Sequence, residues 1–157
     1  MSYVVAYVAA ALVMGGLDYI WLTNAAGPIY HKALGPVMAP EPNMVAAVIF
    51  YLVYILGILV FAVRPAMASG DWKTAALFGA LFGFFAYFTY DLTNLATLKV
   101  WSVKVSVIDI VWGTFLTGVT ASAAAFAALF RYKAGVMPVI GACALAGLVV
   151  TYVRPLL

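Results

Sequence analysis

Three of the four aspartates, Asp18, Asp91 and Asp109, stand inside long apolar stretches, where an ionised carboxylate facing lipid costs a few kcal/mol. Such acids are expected to turn toward the protein interior. Around Asp91 the residues Tyr87, Tyr90, Asp91 and Asn94 continue a stripe begun by Gly79 and Gly83, at the spacing that places side chains on one helix face. Tyr51 and Tyr54 supply phenols able to donate to a carboxylate, and Trp112 lies one turn beyond Asp109 as a pocket wall. Trp21, one turn beyond Asp18, is read as an aromatic-belt residue at the membrane surface, as are Trp72 and Trp101 in the loops. The spacing Asp-x-x-Trp therefore occurs twice, at Asp18/Trp21 and Asp109/Trp112, but it is too short to establish an internal repeat.

The elements that must hold these groups follow from composition. Of 157 residues, 68% are hydrophobic and 8% charged, against about 25% charged in a soluble domain. The sequence predicts an all-α integral membrane protein, a single domain over residues 1–157. Apolar runs broken by charge or proline place five transmembrane helices at about 3–23, 44–63, 74–98, 107–130 and 136–153. The segment from Asn24 to Asn43 carries Pro28, Pro36, Pro40 and Pro42, which forbid a long helix and leave a turn or two at Ile29–Leu34. It reads as an interfacial cap that brings Tyr30 and His31 over the site. The first stretch lacks the basic n-region and cleavage site of a signal peptide and reads as a retained helix.

With five spans, the three aspartates lie on the side opposite the N-terminus. Taken from the helix ends at 1.5 Å per residue, their depths are roughly 8 Å for Asp18, 10 Å for Asp91 and 5 Å for Asp109. Depth and phase together predict one cluster of Asp18, Asp91, Asn94 and Asp109. The Lys and Arg count is tied between the two sides; the N-terminal side reads as cytoplasmic because its basic residues crowd the helix ends. Gly79-x-x-x-Gly83, the small-residue run from Gly118 to Ala128, and Cys143 with Gly147 suit close helix packing. Packing within the chain is favoured, with a homodimer left open.

Several chemistries are excluded. The net charge of +3 comes from scattered residues without a basic run, so nucleic acid is not a partner. With one cysteine, one histidine and one glutamate there is no metal-ligand set, no bis-histidine haem and no expected cofactor. No lysine sits mid-helix for a retinal Schiff base, and no nucleotide loop is present. The readings that survive are a pocket for a lipidic or amphipathic small molecule, ranked first, then a membrane enzyme using one aspartate as acid and another as base on such a ligand. A small proton-coupled carrier and a scaffold subunit complete the set.

The segments Leu17-Asp18-Tyr19-Ile20-Trp21-Leu22, Gly83-Phe84 with Tyr87, Thr89-Tyr90-Asp91-Leu92-Thr93-Asn94 and Asp109-Ile110-Val111-Trp112-Gly113 resemble a bacterial membrane family, domain of unknown function 2177. The resemblance runs over nearly the whole chain, and the Tyr-Asp-Leu-Thr-Asn segment is its most specific part. It implies a multi-pass protein of the bacterial inner membrane, with lipid as its surroundings. It implies no substrate and no catalytic residue.

Overall fold

The structure is a computed structural model and describes residues 2–130. Every element in that range is helical: α1 (Ser2–Trp21), α2 (Gly27–Leu34), α3 (Met44–Ile58), α4 (Arg64–Ser69), α5 (Trp72–Thr97) and α6 (Val103–Phe130). Two π-helical turns, Leu22–Ala26 and Leu59–Val63, join α1 to α2 and α3 to α4. Four stretches are long and apolar enough to span a bilayer: Ser2–Ala25, Met44–Ser69, Trp72–Thr97 and Val103–Phe130. The expected fifth span at 136–153, with Cys143 and Gly147, lies outside the described residues.

The described spans differ from the sequence expectation at proline and at helix starts. The second span does not stop at 63 but continues to Ser69. Pro65 has no N–H and would clash with the carbonyl four residues back in a regular helix. The chain widens instead into the π turn, in which the Arg64 N–H reaches the Leu59 carbonyl five residues earlier. After α1 the short helix expected at Ile29–Leu34 is present as the eight residues of α2, and a second π turn, not foreseen, leads into it. Side chains complete this widened turn. Thr23 Oγ1 donates to the Tyr19 carbonyl at 2.7 Å, and Asn24 Nδ2 to that of Ile20 at 2.8 Å. The fourth span begins at Val103 instead of 107, with the Ser106 N–H bonded to the Ser102 carbonyl in the first turn.

Helix ends are capped where the sequence supplies short polar side chains. Asn43 accepts from the Ala46 N–H at 3.1 Å at the start of α3, and Asp71 from the Lys73 N–H at 3.0 Å at the start of α5. Between α4 and α5, Gly70 adopts φ 70°, a left-handed conformation that suits a residue without Cβ.

The core forms around α6, the most buried helix. Its small residues Gly113, Thr117, Gly118 and Ala121 receive α5, whose Gly79 and Gly83 face them. A Cβ at Gly79 would lie 2.6 Å from the Ala121 Cβ, and one at Gly83 would collide with the Gly113 carbonyl. Backbones therefore approach closely, which is how helices associate when surrounding lipid is as apolar as their side chains. Helix α1 packs on α6 through a stripe repeating every four residues: Ala6, Ala10, Met14 and Asp18 are its buried residues. Asp18 thus occupies the last turn of an otherwise apolar contact face. The second span packs unevenly. From Ile55 through Ala66 it buries one residue per turn or more, whereas its first half, Met44 to Tyr54, is largely exposed among the described residues.

Candidate functional site

Asp18 is 7% exposed and is held by both carboxylate oxygens. Tyr51 of α3 donates its hydroxyl to Oδ2 at 2.8 Å, and Trp112 of α6 donates Nε1 to Oδ1 at 3.1 Å. One acid thereby ties together three spans through neutral donors. The Trp112 indole stacks on that of Trp21, with ring centroids 4.4 Å apart and planes at 10°. One turn before Trp112 on α6, Asp109 accepts a hydrogen bond from the Tyr30 hydroxyl of α2. Tyr87 of α5 enters from the opposite side, its ring lying over Gly113 so closely that any Cβ there would collide with it.

These groups line an open cavity of about 140 Å³, bounded by Asp18, Trp21, Leu22, Tyr30, Tyr51, Tyr87, Asp109 and Trp112. Its wall holds two carboxylates, three phenols and two indoles and, among the described residues, no cationic side chain. Among the described residues no group of three or more His, Cys, Asp or Glu could hold a metal ion. The arrangement offers acceptors and aromatic faces to an occupant.

Not every residue singled out in the sequence reaches this cavity. Asp91 is fully buried, one turn beyond Tyr87, and does not line it. It lies beside Ser106 and Trp101 at the start of α6, where Trp101 Nε1 donates to Ser106 Oγ at 3.1 Å. Neither carboxylate oxygen of Asp91 has a hydrogen-bond partner among the described residues. Asn94, a further turn along, is half-buried and also outside the cavity, while Tyr90 is 58% exposed with its ring edge-on to Trp101. The Tyr54 hydroxyl pairs with Thr117 Oγ1 at 2.9 Å, deeper in the bundle. His31 is exposed on α2 next to Tyr30, so only Tyr30 of the two cap residues faces the site. Asp91 and Asn94 sit in the last turns of α5, which face the first turns of α6, and neither lines the cavity.

Trp21 corrects the sequence expectation in the other direction. Instead of serving only as a surface belt residue it is half-buried, stacked on Trp112 and part of the cavity wall. Trp101 is also more than a belt residue, given its bond to Ser106. The signal for Trp21 was the repeated Asp-x-x-Trp spacing, whose two copies meet in space. Leu22 carried no comparable signal.

A second, larger hollow of about 680 Å³ runs along the exposed half of α3, from Ala46 past Tyr54 and Gly57 to Phe61, with Phe82 of α5 opposite. Aromatic contacts join its wall to that of the polar cavity. The Phe50 ring lies 5.2 Å from that of Tyr51 and 5.3 Å from that of Tyr54.

The chain belongs to the family described as "Predicted membrane protein (DUF2177)", whose family model matches residues 3–126. All the cavity-lining residues fall within that range. No curated protein and no solved structure matches the chain.

Proposed function

We propose that this protein binds a lipidic or amphipathic small molecule, holding its polar part in the cavity bounded by Asp18 and Asp109. The observation that carries this reading is Asp18 itself. Interhelical hydrogen bonds in membranes average only about 0.6 kcal/mol, so a buried acid is a costly way to join helices. Here it is retained at the wall of a cavity, with a second acid on the same wall and only neutral donors to both. We place the protein in the bacterial inner membrane with its N-terminus cytoplasmic. With the Lys and Arg count tied, this orientation rests on Arg64 and Lys73 standing close to helix ends at the junction of the second and third spans.

The test is the set of lipids and small molecules that co-purify with wild type, Asp18→Asn and Asp109→Asn, read by mass spectrometry of the solvent extract. An enriched species in wild type that falls at least tenfold in both variants, at unchanged thermal stability, is the expected outcome. Extracts identical across the three proteins would overturn the reading. If stability falls in step with any loss, the acids serve to hold the bundle together and a scaffold is the better description.

A further inference from the structure

We propose that the occupant is an amphiphile with an ammonium head, seated between Asp18 and Asp109, whose hydrocarbon chain lies in the groove along α3. This rests on the cavity being a ligand site and adds the chemistry of the ligand.

Charge argues for the head. A carboxylate only accepts hydrogen bonds, through about four lone-pair positions. Asp18 uses two of its positions, for Tyr51 and Trp112, and Asp109 uses one, for Tyr30. Acceptor capacity thus remains toward a cavity to whose wall the described residues contribute no cation. A phosphate, sulfate or carboxylate head would meet like charge there, whereas an ammonium finds acceptors and also the ring faces that attract cations. Size agrees. At 140 Å³ the cavity has room for an alkylammonium head.

The chain follows from the neighbouring groove. Its wall is apolar almost throughout, and its Phe50 ring touches both Tyr54 within the groove and Tyr51 at the cavity. From Ala46 to Phe61 the groove runs for about 22 Å at helical rise, within the thickness of the hydrocarbon core. A tail that leaves the cavity past the Tyr51 ring would meet Phe50 of the groove.

The experiment uses the full-length protein in dodecyl maltoside, titrated with dodecyltrimethylammonium, dodecylammonium, dodecyl sulfate, dodecanol and chain-free tetramethylammonium. Binding is read by thermal midpoint and tryptophan fluorescence. The ammonium amphiphiles should raise the midpoint and bind at least tenfold more tightly to wild type than to Asp18→Asn, with no such shift from dodecyl sulfate. Tetramethylammonium should bind at least tenfold more weakly than its dodecyl counterpart, and Val53→Trp in the groove should shrink that advantage. Asp109→Asn and Tyr30→Phe provide the same test if Asp18→Asn does not fold. In nanodiscs, displacement of dodecyltrimethylammonium by phosphatidylethanolamine but not phosphatidylglycerol would identify the ammonium as a lipid headgroup; no displacement would identify a free amphiphile. Equal binding of dodecyl sulfate would overturn the proposal. Binding of dodecanol alone, dependent on Asp18, would overturn the ammonium head and leave the cavity as a ligand site. If no amphiphile depends on either aspartate, both fall. A dimer abolished by Val53→Trp, with chain-length dependence unchanged, would assign the groove to a second copy and overturn its role here.

Discussion

Gly113 stands where α6 carries the ring of Tyr87, and substituting it tests whether the cavity wall is set by backbone approach. A Cβ at this position collides with three atoms of that ring, whereas one at Gly118, five residues on, meets its nearest neighbours at 3.4 Å, an ordinary contact. In a helix, alanine is favoured over glycine by about 1 kcal/mol. Forcing an extra methyl into a packed site costs about 1–3 kcal/mol. Gly118→Ala is therefore expected to be neutral or stabilising by up to about 1 kcal/mol, while Gly113→Ala should come out up to about 2 kcal/mol destabilised. The obstruction at Gly113 is a single side chain, so truncating Tyr87 should relieve it. Gly83 is different, because a Cβ there meets the Gly113 carbonyl and the Thr117 side chain, and only a separation of α5 from α6 makes room. The assay is thermal unfolding in detergent of Gly113→Ala, Tyr87→Ala, the double variant and Gly83→Ala. The double variant should be more stable than the sum of the single effects by at least about 1 kcal/mol, a coupling typical of residues in contact. If the effects of Gly113→Ala and Tyr87→Ala simply add, or if Gly113→Ala is as benign as Gly118→Ala, the Tyr87 ring does not rest on α6 as described.

Tyr51→Phe and Trp112→Phe each remove one donor to Asp18, and each should lower stability by about 0.6–1.7 kcal/mol, with a double variant that is non-additive because one carboxylate loses both partners; a thermal double-mutant cycle measures this. Asp91→Asn is expected to leave the co-purifying extract like that of wild type, since Asp91 does not line the cavity, in contrast to Asp18→Asn; mass spectrometry of matched preparations decides. Asp91→Leu, which removes a buried carboxyl having no hydrogen-bond partner among the described residues, should be neutral or stabilising by about 1 kcal/mol or more, and a lowered thermal midpoint would count against it. Pro65→Ala should stabilise the second span by less than about 3 kcal/mol, because the π turn already absorbs part of the proline's cost; a loss of stability would mean that packing, not proline, demands the wide turn.

The hydrophobic runs made the membrane character and four described spans legible, since a helix that crosses lipid must be long and apolar whatever it packs against. Proline was the main source of error in the boundaries. Its missing N–H was read as a stop after Val63, but a π turn there keeps the chain helical to Ser69; after Asn24 the turn or two expected at Ile29–Leu34 is present as α2. Within the site, Asp18, Tyr51, Asp109 and Trp112 were legible from burial logic: acids avoid lipid, and phenols and indoles are the donors at matching depth. Asp91 shows the limit of that logic. Depth along one helix and phase around it fix a position relative to that helix only, and the partner facing a given turn depends on how the helices cross. The sequence around Asp91 is indistinguishable in these terms from that around Asp18, yet its neighbours are Ser106 and Trp101.

The repeated Asp-x-x-Trp spacing gains meaning once the direction of each helix is considered. Helices α1 and α6 are the first and fourth of four alternating spans and so run antiparallel. Three residues of helix correspond to about 4.5 Å of rise. Along α1 the tryptophan of the pair lies that much nearer the membrane surface than its aspartate, and along α6 that much deeper. Antiparallel packing then sets the deeper members, Asp18 and Trp112, at one level, where they form the 3.1 Å hydrogen bond, and the shallower members, Trp21 and Asp109, at the level above. The two indoles bridge the levels by stacking. Had Trp21 bonded Asp109 as Trp112 bonds Asp18, the arrangement would close on itself as a purely structural clasp. Asp109 instead takes its donor from Tyr30 on α2, an element outside the four-span bundle that reaches the site only because the π turn after Trp21 carries the chain back over it. Trp21 and Asp109, unmatched to each other, both line the cavity, with Tyr30 of α2 beside them.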